Sequence, residues 1–289
     1  MKKDSLKATV IVIITSLCIC SCAGLSLTQE TVVFDDPYAL LDIKTVEPTI
    51  AEEAGIVLRL RAPEAGSLAY TEDTVMFAQI KAGEGKCFRI DSSRQDSYSA
   101  GTTDASYIIR SETRLTGSNK KIVSSLEFSE QGAILQFIEG NHETKLGKFM
   151  IKDWKRSPIF PVGAVRIGDT WTYDEMIDME IDSWLIKNRE QKPFTIKARS
   201  TLESFALCQG VRCAVIKTVI VKEEEHHLKV LFKSLDFKTR TRTDETTYYD
   251  YANGRIIAQI IETLGQTTSY NPPLTDTSQG QSIIYLQQD

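Results

Sequence analysis

Histidine is almost missing: the 289 residues contain three, His142, His226 and His227. That leaves little material for a zinc centre or for imidazole acid–base chemistry. Tryptophan (3), proline (8) and cysteine (6) are also sparse. No two cysteines stand in Cys-x-x-Cys spacing, and no second Cys/His pair completes a metal site, so no metal is expected. No Gly-x-Ser-x-Gly element marks an activated serine. Gly83-Glu84-Gly85-Lys86 resembles a phosphate loop only on the surface. A Walker loop needs glycine at position 80 and serine or threonine at 87, where Ile80 and Cys87 stand. A dinucleotide fingerprint needs a third glycine where Phe88 stands, so no nucleotide cofactor is expected. There is no excess of positive charge either: the formal net charge is −5, which gives no reason to expect a nucleic-acid partner.

What is present begins at the N-terminus. Lys2, Lys3 and Lys7 precede a run from Ala8 to Cys20 that is mostly aliphatic. About 13 residues suit the apolar region of a signal peptide but fall short of the ~20 needed to span a bilayer. The run ends in Ile19-Cys20-Ser21-Cys22, followed by Ala23. This resembles the processing box of bacterial lipoproteins: an aliphatic residue, two small residues, then the cysteine that is acylated. The resemblance implies a signal peptide over 1–21 and lipidation at Cys22. Ala23, in place of an aspartate there, implies the outer membrane. An ordinary secretory signal cut near Ala23 is the alternative. A multiply acylated cysteine holds a bilayer stably, because each buried CH2 contributes about 0.8 kcal/mol.

Downstream the hydrophobic period is two, not 3.6. Ile56, Leu58 and Leu60 alternate with Arg59 and Arg61; Ile122, Ser124, Leu126 and Phe128 alternate with Ser125 and Glu127; Phe194, Ile196 and Ala198 alternate with Thr195, Lys197 and Arg199. Turn signals separate such runs, at Gly117-Ser118-Asn119, Glu130-Gln131-Gly132, Gln209-Gly210 and Asn253-Gly254. Asn253-Gly254 is the strongest, since both residues accept the positive φ of a two-residue hairpin loop. Strand, turn and strand recurring without helical stretches predict a mainly β fold, one large curved antiparallel sheet forming a half-barrel or open barrel. A short helix is expected near Asp36, with Pro37 in its first turn and Tyr38 to Ile43 continuing it, ended by Pro48. Glu52, Glu53 and Gly55 read as a turn, and a change of parity near Ser234–Asp236 as a bulge.

The expected organisation is a lipidated tether with a short helix (22–54), a β-rich half (55–140), a connector (141–170), a second β-rich half (171–270) and a polar tail (271–289). Within the tail, Ile283 to Leu286 form the one stretch able to dock as a strand. A faint echo between Gly85–Ile90 and Gly210–Ile216, each followed by a later glycine turn (Gly132, Gly254), allows a duplication; chance likeness among hairpins is the alternative.

Cys208 and Cys213 flank the Gln209-Gly210 turn, where a disulfide would close a very small loop. Two buried free thiols are the equal alternative. His226-His227 beside three glutamates reads as a charged strand end, because neighbouring strand residues face opposite ways. Lys238, Arg240 and Arg242 form a basic ridge that reads as a solvated sheet face. Trp171 is expected to anchor the core, and Trp154 and Trp184 are further candidates for stacking on a ligand. Carboxylates are plentiful enough that a hydrolytic pair stays open by residue type alone.

Phe160-Pro161, then Gly168-Asp169-Thr170-Trp171, and the late Gly254-Arg255-Ile256-Ile257 strand, together with the lipobox, are similar to elements of bacterial envelope lipoproteins of unassigned activity. The architecture more distantly resembles the Lol-type lipoprotein carriers, whose curved sheet holds lipid chains. The resemblance implies a membrane-anchored, non-enzymatic protein that binds a lipid or other hydrophobic ligand. The alternative is a structural or protein-interaction lipoprotein with a filled core.

Overall fold

The structure, a computed structural model, describes residues 41–64, 66–79, 86–116, 121–144, 147–182, 186–188, 193–230, 233–270 and 273–287. Two-residue alternation does build strands. In β3 (Lys86–Ala100) the even residues Ser92, Arg94, Asp96 and Tyr98 turn away from solvent while Asp91, Ser93, Gln95 and Ser97 are exposed. The neighbouring strands are β2 (Ser67–Gln79), β4 (Ser106–Leu115), β5 (Lys121–Ser129), β6 (Ile134–Thr144), β7 (Gly147–Arg156) and β8 (Thr170–Asp182). Five more follow: β10 (Phe194–Cys208), β11 (Val211–Val230), β12 (Lys233–Asp250), β13 (Arg255–Tyr270) and β14 (Pro273–Leu286). Two short strands, β1 (Ile43–Val46) and β9 (Ile186–Asn188), complete the set among the described residues.

Within the runs β2–β8 and β10–β14 each strand pairs antiparallel with the next in chain order, and two pairings between the runs close the sheet. β14 pairs with β2, from Thr277 opposite Gln79 to Leu286 opposite Tyr70. β10 pairs with β8, from Phe194 opposite Ile177 to Thr201 opposite Thr170. The result is a 12-strand barrel made of β2–β8 and β10–β14. The mainly β expectation holds, and the sheet is closed. β1 continues the sheet below the start of β8, with Ile43–Val46 paired to Phe205–Cys208.

Several local expectations change. Residues 36–40 lie outside the described residues, and Ile43, expected in a helix, begins a strand instead. The helix is α1 (Ile50–Ala54), where Glu52 and Glu53 read as a turn. Thr49 and Glu52 form a capping box there, each satisfying the other's backbone N–H. Glu52 also anchors α1 to the barrel. Its Oε1 accepts from Arg212 Nε at 2.7 Å and from Tyr251 Oη at 2.6 Å, and its Oε2 accepts from Arg212 Nη2 at 2.6 Å. Ile56, Leu58 and Leu60 alternate but form no ladder strand; apart from one bridge to Val165, the segment crosses the barrel mouth as a strap. The first half of the 141–170 connector is strand, since β6 runs to Thr144 and β7 spans Gly147–Arg156. The tail supplies β14: Ile283 to Leu286 dock as a strand as expected, with Ile283, Ile284 and Leu286 buried, and the strand extends back through mostly polar residues to Pro273. The parity change before Phe237 comes from the hairpin between β11 and β12, since Val230 pairs with Lys233 and Leu228 with Leu235 without a bulge. Gly132 and Gly254 both take positive φ in corresponding turns, whereas β3 and β11 start at opposite ends of the barrel, so the other half of the echo has no structural counterpart.

One end of the barrel is packed shut. The strap donates Leu60 N–H to Glu130 O (2.7 Å) and Arg61 N–H to Gly254 O (3.2 Å), and Arg59 O accepts from Tyr249 Oη (2.6 Å). Leu58, Leu202, Phe205, Ala214 and Tyr249 are wholly buried around it, with Phe160 and Tyr249 ring to ring at 4.8 Å. Gly254 permits this approach. Its φ is +70°, and a Cβ there would sit 2.6 Å from both Arg59 O and Arg61 N. The hairpin it ends is longer than expected, Tyr251–Gly254, and Asn253 is not in the positive-φ region. The turns at the opposite end fall outside the described residues.

Outside, charges occupy the middle of the wall: Arg110 and Arg114 on β4, Lys197 and Arg199 on β10, Lys217 and Glu223 on β11, Arg240 and Arg242 on β12, Glu262 on β13. A bilayer-spanning barrel has an apolar band ~25 Å tall in that place. Among the described residues no helix is long and apolar enough to cross a membrane.

Two outcomes follow from this packing. Gly254→Ala forces a side chain into the strap backbone at a positive φ and is expected to lower stability by about 1–3 kcal/mol, read as a fall in the urea midpoint. Arg212 and the capping bonds hold the Glu52 carboxyl down at about 2, against an ordinary 4.5. A lowered folded pKa gives stability that is present above the unfolded value and lost as pH falls through the folded one. Glu52→Gln therefore costs about 1–3 kcal/mol at pH 7, and its deficit against the parent shrinks as the pH drops from 4.5 toward 2.

Candidate functional site

Above the strap the lumen is not filled. A chamber of about 310 Å³ remains, enclosed by residues that the two-residue period turns inward from nearly every strand. Eight strands give an interior that side chains can just fill, and 16 or more leave a channel. Twelve need large residues on the inside, and aromatic ones are prominent: Tyr70, Tyr98, Phe128, Trp171, Tyr173 and Tyr249.

Three polar groups stand among these rings. On β3, Arg94 Nε faces Asp96 Oδ1 at 3.3 Å, and the guanidinium lies 4.6 Å over the Tyr70 ring. The two charges compensate, yet neither Nε nor Oδ1 has an aligned hydrogen bond, and Asp96 is 6% exposed. Burial pushes the Tyr70 hydroxyl up to about 12 and raises that of Tyr98 as well, so both remain neutral donors. On β7, Arg156 donates from Nε and Nη2 to Gly132 O at 3.2 and 3.1 Å and stacks 5.2 Å from the Phe128 ring centre. Beside it Glu175 accepts from Trp154 Nε1.

The third group is on β12 and β13. Thr247 Oγ1 donates to Glu245 Oε1 at 2.8 Å and accepts from Gln259 Nε2 at 3.3 Å. Burial raises the Glu245 carboxyl above its ordinary value, with Thr247, Gln259 and Arg156 opposing that shift. The adjoining wall is lined with hydroxyls bonded across strands: Ser200 with Thr218 at 2.9 Å, Thr243 with Thr263 at 3.2 Å and Thr74 with Ser282 at 2.8 Å. The chamber thus has aromatic surfaces for a ring or chain and a few convergent polar groups to orient it, the pattern of a small-molecule pocket.

The residues singled out from sequence fall elsewhere, for the most part. Cys22 and Trp184 lie outside the described residues. Cys208 and Cys213 are free thiols. The register sets Cys208 opposite Val211 and Cys213 opposite Ala206, so the two sulfurs are diagonal neighbours rather than a facing pair. Both are buried, which pushes them up to about 11 and about 12 and leaves them as inert apolar residues. Lys238 and Arg240 reach Glu223 at 3.3 and 3.4 Å, and Arg242 reaches Asp244 at 2.9 Å, so the outer ridge is compensated where it stands. His226 and His227 are in β11, paired with Phe237 and Asp236. Among the described residues no group of three His, Cys, Asp or Glu side chains is arranged to hold a metal ion. Trp171 does anchor the core, donating from Nε1 to Ile159 O at 2.6 Å, and also lines the chamber, as does its neighbour on that strand face, Tyr173.

Sequence reading missed Arg94, Asp96, Arg156 and Glu245. An inward face that alternates polar groups gives no apolar rhythm; the one available signal was that Arg94, Asp96 and Tyr98 share parity between exposed serines and glutamine. Compared with known proteins, the chain matches no family profile and no curated sequence.

The raised Glu245 carboxyl has a measurable sign. The folded protein keeps that proton to higher pH than the unfolded chain does, so its ionisation subtracts stability as pH rises above 4.5. Glu245→Gln is expected to raise the urea midpoint relative to the parent at pH 8, with the difference vanishing near pH 4.5.

Proposed function

We propose that this protein is a lipid-anchored envelope protein, held by an acylated Cys22, that binds a small amphipathic ligand inside its barrel rather than transforming one. The observation that carries this reading is the chamber of about 310 Å³ enclosed by a barrel whose outer wall is charged. Supporting it, the chamber joins aromatic surfaces to a few polar groups held by their neighbours. That volume is at the low end for small-molecule pockets, which suits a ring-bearing molecule or one short acyl chain better than a whole diacyl lipid. The N-terminal segment supports the address: basic residues, a short apolar run, then a lipobox. With Ala23 next to Cys22, the outer membrane facing the periplasm is the proposed location.

Titrating the purified, processed protein with N-phenyl-1-naphthylamine tests the chamber. Saturable fluorescence near one equivalent is expected. Ser111→Phe, which projects a ring into the chamber from β4, is expected to weaken it at least tenfold with an unchanged far-UV spectrum. Equal dye binding by parent and variant, or none by either, overturns the reading and leaves a filled scaffold. Separately, Cys22→Ala is expected to move the protein from the membrane to the soluble envelope fraction, and the intact mass of the parent to include acyl chains.

A further inference from the structure

The large apolar side chains left exposed are not spread evenly over the barrel. Among the described residues, Ile50, Val57, Val162 and Ile167 come from two short segments, α1 with the strap and the 157–169 loop, and Ile50 and Val162 are 86% and 81% exposed. The two segments form one surface. Ile56 and Val165 exchange backbone hydrogen bonds of 2.9 and 2.8 Å, and Arg166 Nε donates to Ala54 O at 3.3 Å. A Cβ on Gly55 would stand 3.2 Å from that of Ala164. Ile56 and Leu58 are buried beneath the strap, which turns Val57 between them outward. Single exposed aliphatics such as Leu264 on the wall are ordinary. Four gathered at one end of a barrel are not, and exposed apolar patches mark contacts with membranes or other proteins.

What covers this patch follows from where the chain enters. Gln209 N–H donates to Asp42 O at 2.9 Å, so the polypeptide joins the barrel at the same packed end. Cys22 and Leu41 are 19 positions apart, roughly 65 Å at full stretch. β11, with 20 residues, stands roughly 50 Å tall at the usual tilt of a barrel strand. An acylated Cys22 therefore holds the packed end at a bilayer with slack, and the opposite end only with the tether nearly taut. The side wall is charged across its middle and does not suit lipid. At the packed end the exposed charges on 41–61 and 157–169 balance, four acidic against four basic, and the buried Glu52 is paired with Arg212. That balance suits a zwitterionic surface and supplies no attraction to an anionic one.

We propose that the packed end docks on the bilayer, with Ile50, Val57, Val162 and Ile167 set into the interface of a zwitterionic lipid surface. The barrel then stands on its strap, and the chamber lies on the far side of the strap from the lipid. This rests on the acylated Cys22 of the proposed function. The acyl chains hold the protein, and the patch sets its orientation.

The test uses the processed protein purified from membranes, with its acylation checked by intact mass, in vesicles of phosphatidylcholine and phosphatidylethanolamine. Val162→Trp places a reporter in the patch and Leu264→Trp one on the wall, each read as emission above that of the parent. Substituting lipid brominated in its acyl chains is expected to quench the Val162→Trp signal by about half and to leave the Leu264→Trp signal unchanged. Adding Ile50→Asp and Ile167→Asp to the Val162→Trp protein is expected to abolish the quenching, with the far-UV spectrum unchanged and the protein still on the vesicles. Equal quenching of both reporters, or of neither, in an acylated protein overturns the docking and leaves the anchor standing. A blue-shifted Val162→Trp signal that bromine does not quench puts a protein surface on the patch, a second copy or another partner, and likewise overturns it. Quenching that appears only when phosphatidylglycerol is added overturns the assignment to a zwitterionic surface. A mature chain without acyl groups overturns the anchor reading and this proposal together.

Discussion

The hydrogen bonds between Phe194–Thr201 of β10 and Thr170–Ile177 of β8 turn a sheet into a tube. An open sheet leaves two edges with unpaired backbone groups, and closure removes them. It also divides the side chains into two populations, because a strand residue in a tube faces either the lumen or the surroundings. Everything distinctive about the molecule follows from that division. The charged outer wall, the rings within and the need for something to stop the mouth are all conditions set by a closed sheet of 12 strands.

The lumen is then a problem of filling a space too wide for ordinary side chains. The protein solves one end with a backbone strap and the 157–169 loop, and the middle with tyrosine, tryptophan and arginine. Polar groups in that enclosure cannot be left alone, since low dielectric makes each unpaired one expensive. Hence the pairwise arrangement, acid with base on β3, guanidinium with a turn carbonyl on β7, hydroxyl with hydroxyl between β10 and β11 and between β12 and β13.

The strand content was legible in the sequence because apolar alternation in runs such as Ile122–Phe128 and Phe194–Ala198 is a local signal. The ends were not. Nothing short-range marks β14 as the neighbour of β2 or β8 as the neighbour of β10, so a tube and a half-barrel look alike in sequence. In β14 only Ile283–Leu286 was legible as a strand; the stretch before it was hidden because it carries Thr, Ser, Gln and Gly, where apolar rhythm is silent. The strap shows the opposite error: Ile56, Leu58 and Leu60 alternate like a strand because one side of a segment crossing a barrel mouth faces the core, whether or not it pairs. The chamber residues were lost for the same reason as β14. Arg94 and Asp96 look like surface residues until closure places them inside.

The seam between β2 and β14 joins Glu72 to Ser282, 210 positions apart. Such a contact cannot form until nearly the whole polypeptide is available, and long-range pairings of this kind set slow folding rates. For a chain exported as proposed, this delay has a use. A thread that lacks its closing strand has no finished tube to jam a translocation pore, so the topology itself postpones folding until the last residues have emerged on the far side.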